Sequence, residues 1–339
     1  MSQYLNRYLR INVKIDPVPN PGAGWQSMQT ANQSVITAGA SEEILTFTED
    51  FKIVFDVASI TSESNLLNTQ TAQIDIYNLD ADVQNKLAQR GSRINVVAGY
   101  EDLYDVIFVG EVNNVKKIKR GPDIITTLYC ATNISEKIIE TINGGIRVTD
   151  YLKGLCSRLD IPCDIPNSNW KIIPSSGLSY VGSLSGLVGK LCKEYDLIAV
   201  WVNRKLVILD KAAPTETRPE EIFIFGPETG LIDIPEISDA GAVVTTLLNP
   251  KVQLNKYVKI EAEYANFNIG EMLYQKNRLR GGEFTAFTAI DIDRLHGTYY
   301  TRSAKYTGDT RGDDWFSVFT CNIHDNDGKV VNQGGNLKL

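Results

Sequence analysis

Gln73 to Cys130 reads QIDIYNLDADVQNKLAQRGSRINVVAGYEDLYDVIFVGEVNNVKKIKRGPDIITTLYC. Ile74 and Ile76 alternate with Asp75 and Tyr77, the period of a half-buried strand. Asp80 stands where it can cap a short helix, Ala81 to Arg90, which Gly91 ends. Three strands follow: Arg93 to Gly99, Asp105 to Ile118 and Ile124 to Cys130. The second ends in a basic cluster, Lys116, Lys117, Lys119 and Arg120, which reads as a solvated turn ahead of a phosphate contact. Only one short helix interrupts this run of strands, so the fold is expected to be mainly β.

Working outward, Leu9, Ile11, Val13 and Ile15 alternate with polar residues and predict another half-buried strand. From Pro17 to Ala40 the apolar period is lost, and a long loop or extended hairpin is expected. Phe51 to Ile60 is strand-like. In the middle the period becomes helical. Thr149 is placed to cap a helix from Asp150 to Leu159. Ser183 is placed to cap a second, in which Leu184, Leu187, Val188, Leu191, Cys192 and Tyr195 recur at helical spacing. Ile198 to Val202 and Lys205 to Leu209 form a hairpin around Asn203-Arg204, and Lys211 to Glu221, with Pro214 and Pro219, reads as a linker. Strands return at Val252 to Glu263, Glu283 to Ile290, Thr298 to Tyr306 and Trp315 to Ile323. Asn266 to Gly282 reads as a loop with a basic stretch at Lys276, Arg278 and Arg280. The tail after Asp325 is polar and frayed.

Two hairpins echo each other. Arg120-Gly121-Pro122-Asp123 is separated by six residues from Cys130, and Arg311-Gly312-Asp313-Asp314 by six residues from Cys321. In each, a Gly and Asp turn leads into an apolar strand that ends in Cys. Duplication of a β unit on either side of the α+β centre is expected ahead of a chance match of four residues.

Composition excludes more than it assigns. The 339-residue chain is 43% hydrophobic and 22% charged, which is globular rather than disordered. Its net charge of −7 argues against a duplex-reading surface. Five Cys, an odd number with no Cys-x-x-Cys spacing, read as small buried hydrophobes of a reducing cytoplasm. The N-terminus lacks the apolar run of a signal peptide, and the longest apolar stretch, Leu197 to Val202, is far below a membrane span. A cytoplasmically made, soluble protein is expected.

Chemical motifs fail one by one. In Gly182, Gly186 and Gly189-Lys190, Leu184 takes the first glycine's place and Leu191 that of the magnesium-binding hydroxyl, so the run is not a phosphate loop. Asp325, Asp327 and Gly328 lack the later Glu of a calcium loop. Arg311-Gly312-Asp313 matches an adhesion tripeptide but sits in an expected turn. Nothing orients Cys321 and His324 as a dyad, and His296 stands apart. The carboxylate pairs Glu101 and Asp102, and Glu42 and Glu43, read as solvated faces. Trp25, Trp170, Trp201 and Trp315 are too scattered for a base-stacking platform. No catalytic, cofactor-binding or metal-ligating residue is assigned, and no cofactor is expected.

The order of short motifs resembles that of phage baseplate hub proteins. Ile74-Asp75-Ile76-Tyr77-Asn78-Leu79 is similar to their Ile-x-Ile-x-Asn-Leu strand, Ala98-Gly99-Tyr100 to a strand end, and Phe108-Val109-Gly110 to a Phe-x-Gly strand. The run from His296-Gly297 through the Gly308-Asp309-Thr310-Arg311-Gly312 turn to Trp315 and Cys321 resembles the late hub segment. Leu184 to Tyr195, leading into Leu197 to Leu209, fits the middle domain. The resemblance implies two tube-like β-barrel domains, 1–144 and 222–339, flanking an α+β domain and linker at 145–221. It also implies a non-enzymatic homotrimer. Three chains would present six barrels, adapting a six-fold tail tube to a three-fold central spike in the baseplate, beside other baseplate proteins. DNA would be passing cargo only, and an acidic or neutral lumen would let its phosphates slide. Assembly would take place in the host cytoplasm. The rival readings are a tail-associated peptidoglycan hydrolase, the hub of a non-contractile tail, or a type VI secretion spike.

Overall fold

Alternation places Leu9, Ile11, Val13 and Ile15 on one face of the first strand, and all four are buried. Around that strand a computed structural model describes residues 6–15, 43–60, 68–88, 92–132, 137–165, 171–210, 222–238, 241–254, 256–262, 266–268 and 298–323. The first part of the chain contains β1 (Arg7–Ile15), β2 (Glu43–Thr48), β3 (Ile53–Ile60), β4 (Asn68–Thr69), β5 (Thr71–Tyr77) and α1 (Ala81–Leu87). It continues with β6 (Arg93–Tyr100), β7 (Leu103–Arg120) and β8 (Asp123–Ala131). The centre comprises β9 (Lys137–Ile142), α2 (Val148–Arg158), β10 (Cys163–Asp164), β11 (Leu178–Ser183), α3 (Leu184–Glu194), β12 (Leu197–Val202) and β13 (Lys205–Asp210). Then come β14 (Phe223–Phe225), β15 (Glu236–Ser238), β16 (Gly241–Leu247), β17 (Tyr257–Ile260), β18 (Asn266–Asn268), β19 (Thr298–Asp309) and β20 (Trp315–Ile323). The protein is mainly β with a few helices.

One sheet runs through both ends of the chain in the order β18-β15-β16-β20-β19-β3-β5-β8-β7-β6-β1-β2, with β14 and β17 attached through β19. The join is the antiparallel ladder of β3 with β19, from Ile60 opposite Ser303 to Val54 opposite Asp309. Among the described residues this path does not return on itself, so no closed barrel is formed. A single core spans the join. Phe55 meets Trp315 edge to face at 5.4 Å, and Phe225 stacks on Phe319 at 5.4 Å. Such aromatic pairs add about 0.5–1.5 kcal/mol to the burial itself.

The central segment has a second core, in which α2 and α3 pack through Leu152, Leu155, Leu187, Val188 and Leu191. Every residue of β12 is buried. Its Ile198, Val200 and Val202 join the main core, while Leu197, Ala199 and Trp201 join the second. A strand covered on both faces must be apolar throughout, which is why Leu197 to Val202 is the longest apolar run. Its hairpin to β13 turns through Asn203 (φ 50°) and Arg204 (φ 60°), the left-handed pair of a type I′ turn.

Several expectations shift. Arg147, not Thr149, holds the N-cap position of α2, and Thr149 is buried inside its first turn. Asp80 occupies the N-cap of α1 without a side-chain bond, and the helix stops at Leu87. Ser183 caps α3 as expected, its hydroxyl accepting from the Gly186 N–H at 3.1 Å. Val252 to Glu263 contributes a strand only at Tyr257–Ile260, while β16 was not anticipated. Asn266–Asn268 is a strand instead of loop. The 17–40 loop, the 211–221 linker, the strand at 283–290, the basic stretch Lys276, Arg278 and Arg280, and the tail after Asp325 lie outside the described residues.

Candidate interaction site

The motifs singled out in the sequence converge where the two ends of the chain meet. The β19–β20 turn, 310–314, is held by the first part of the chain almost entirely through its backbone. The Arg7 guanidinium donates to the carbonyls of Asp309 (2.9 Å), Gly312 (2.5 Å) and Asp313 (3.3 Å), and lies 5.4 Å from the Trp315 ring centroid. The Thr310 hydroxyl donates to the Phe51 carbonyl at 2.7 Å and accepts from the Ile53 N–H at 2.9 Å. Arg311 donates to the Asp50 carbonyl at 2.7 Å. The Arg311-Gly312-Asp313 tripeptide is thus a structural turn, with its arginine committed to another strand connection.

Trp315 closes the clamp. Its indole N–H donates to the Gly99 carbonyl at 2.9 Å, and the Tyr100 hydroxyl donates to the Trp315 carbonyl at 3.3 Å. Gly99 has φ 154°, and a Cβ there would lie 2.1 Å from the Leu103 carbonyl oxygen. The strand end Ala98-Gly99-Tyr100 therefore positions the tryptophan seat. Asn78 of the Ile-x-Ile-x-Asn-Leu strand has φ 57°. Its amide donates to Asp123 and its side-chain oxygen accepts from the Ile124 N–H, both at 2.9 Å, tying β5 to the β7–β8 hairpin.

A second junction was not legible in the sequence. Gln70 is buried between β4 and β5. Its side-chain N–H donates to the Ile107 carbonyl at 2.7 Å, and its side-chain oxygen accepts from the Asn203 N–H at 3.1 Å. Its backbone N–H donates to the Trp201 carbonyl at 2.9 Å. One amide thus links the main sheet to the β12–β13 hairpin.

The remaining candidates are dispersed. Gly182 lies in β11 and Gly186 in the first turn of α3. The Tyr180 hydroxyl fills the space over both, 2.6 and 2.4 Å from where a Cβ would stand. Trp201 and Trp315 are core residues. Burial pushes the thiols of Cys130, Cys156 and Cys192 up to about 12, with the neighbouring Cys163 adding to the effect at Cys156, and raises Cys321 further. All five cysteines are free. Glu101 accepts from the Asn6 amide at 2.5 Å, and Asp102 sits beside it in the β6–β7 turn. Glu43 pairs with Lys86 at 2.5 Å. Lys117 donates to Asn85 at 3.1 Å, while Lys116, Lys119 and Arg120 stand exposed on the hairpin. His296, His324, Asp325, Asp327, Gly328, Glu42, Trp25 and Trp170 lie outside the described residues. Among the described residues no group of His, Cys, Asp and Glu is arranged to hold a metal ion, and no helix is long and apolar enough to cross a membrane.

The sequence profile of the family described as Baseplate hub gp41 matches residues 52–268. No curated protein matches the sequence. Among solved structures, the tail protein from Neisseria meningitidis MC58 superposes with a TM-score of 0.50 at 8% identity, covering 92% of this chain and 96% of that one. The 43 kDa tail protein of prophage MuSo2 from Shewanella oneidensis gives 0.48 at 10% identity, covering 84% and 96%. The E. coli c3393 protein, a component of the type VI secretion system, gives 0.47 at 8% identity, covering 82% and 75%.

Proposed function

The chain belongs to the Baseplate hub gp41 family and is a structural component of a phage tail baseplate, and from that premise we propose that it acts as a trimeric symmetry adaptor. In this reading, three chains form a ring whose six tube-like units meet a six-fold tail tube on one side and a three-fold spike on the other. The ring encloses the channel through which the genome leaves. The two units correspond to 1–144 and 222–339, with 145–221 standing outside them as the α+β domain.

The observation that carries the reading is the presence of two like hairpins in one sheet, separated by β3 and β5. β7–β8 and β19–β20 are both antiparallel hairpins with a buried Cys near the end of the second strand. They are joined through β3 and β5 of the same sheet and by the Arg7–Trp315 clamp. Two quasi-equivalent units held at a fixed angle are what a three-fold ring needs to imitate a six-fold surface. A non-catalytic role is supported by the raised thiols, which are poor nucleophiles at neutral pH. It is also supported by the use of motif residues as structural ties.

Native mass measurement of the purified protein, alone and with the tail tube protein, tests the proposal. The expected species is three times the 37.6 kDa chain, and it binds a tube ring. A protein that stays monomeric and ignores the tube at micromolar concentration overturns it.

A further inference from the structure

β7 is 18 residues long, and its two ends carry opposite charge. Before its start, Glu101 and Glu49 line one groove with Asn6, Arg7 and Arg311, Asp102 follows Glu101 in the β6–β7 turn, and the bonds of Arg7 and Arg311 bring Asp50 of the β2–β3 turn and Asp309 and Asp313 of the β19–β20 turn to it. The two arginines spend their donors on backbone carbonyls. Among the described residues these carboxylates form no salt bridge. Phe51 and Tyr104, 38% and 49% exposed, give the same surface an aromatic rim.

At the far end Lys116, Lys119 and Arg120 project from the hairpin while Lys117 reaches Asn85 of α1, with Ile118 and Ile124 exposed at 38% and 40%. β6 pairs with β7 only as far as Glu111. Beyond Val112 the outer edge of β7 has no strand partner among the described residues. An open edge lined by lysines resists indiscriminate pairing yet accepts an acidic partner. At about 3.3 Å per residue the two ends lie roughly 55 Å apart, far beyond the ~8–10 Å screening length of physiological salt. They do not neutralise each other within one chain.

We propose that the basic tip of the β7–β8 hairpin of one copy docks along its free edge onto the acidic turns of the next copy. This head-to-tail contact deepens the ring reading and rests on it, because a heterologous interface gives a ring when the rotation that repeats it closes. The occupant is a second copy because charge and exposed apolar groups complement each other between the two ends of this chain.

The test is charge reversal at exposed positions, with folding checked by circular dichroism. Lys116→Glu with Lys119→Glu reverses the tip, and Glu49→Lys with Asp102→Lys reverses the acidic end. Sedimentation velocity at low and high salt is expected to show wild-type association weakening with salt. Each single-end variant should dissociate at least about tenfold more readily. The chain carrying all four changes should regain association. Single-end variants that associate like wild type, or a combined variant that does not recover, overturn the contact and leave the hub reading standing. A wild type monomeric at every concentration overturns both. Salt-sensitive DNA binding that vanishes in the tip variant while assembly is unchanged assigns the tip to nucleic acid and overturns the proposal.

Discussion

Gln70 shows how much of the architecture rests on single side chains. Its buried amide serves a carbonyl on one side and an N–H on the other, so Gln70→Leu leaves both unsatisfied. A loss of at least about 2 kcal/mol is expected from urea denaturation. Gly308 is equally exacting. A Cβ there would lie 2.4 Å from the Phe55 ring and 2.8 Å from Trp315. Gly308→Ala should therefore cost about 1–3 kcal/mol. Repeating it in a Phe55→Leu background should shrink the penalty, and an unchanged penalty contradicts the packing argument. The buried thiols predict a pH dependence. Their folded values rise from 9.0 to about 12, so the unfolded chain ionises first. The stability they hold is complete below about pH 9 and is lost as pH climbs towards 12. The urea midpoint in reducing buffer should be level from pH 7 to 9 and fall by pH 10.5. A level midpoint throughout contradicts this.

Among elements, those written by local chemistry were legible and those made by distant pairing were not. β1 follows from its period, α3 from its apolar spacing and Ser183, and the β12–β13 turn from Asn203-Arg204. β16, with the sequence GAVVTTL, alternates in burial but not in polarity, because Thr246 stands on the buried face with Ala242 and Val244 while Val243 and Leu247 stand on the other. β14, β15 and β18 are three residues each, too short for any period to show. The ladder of β3 with β19 links segments some 250 positions apart, and nothing in either strand names the other. The clamp was illegible for the same reason. Arg7 reads as one more polar residue of a strand until the chain brings Trp315 to it, although the glycine turn and the Trp-bearing strand were visible separately. The two helix starts supply a matched test. Ser183→Ala should cost about 1 kcal/mol. Asp80→Ala, which removes no capping bond, should cost under about 0.5 kcal/mol, mostly through the helix dipole. Thermal melts of the two variants compare them directly, and equal losses contradict the assignment.

At the scale of the whole molecule, a net charge of −7 conceals a strong polarity. Carboxylates gather where the two ends of the chain meet, and lysines gather at the tip of the longest hairpin. That distribution is what the proposed head-to-tail contact between copies draws on. The continuous sheet joins the first and last parts of the chain through β3 and β19, and Gln70 ties the β12–β13 hairpin to that sheet. In the proposed assembly three such chains bridge a six-fold tube and a three-fold spike, and cryo-electron microscopy of the assembled tail decides it. Three copies in one closed ring between the last tube ring and the spike, with both units of every chain facing the tube, is the predicted result. Six copies in that ring, or a chain placed away from the tube axis, would contradict it.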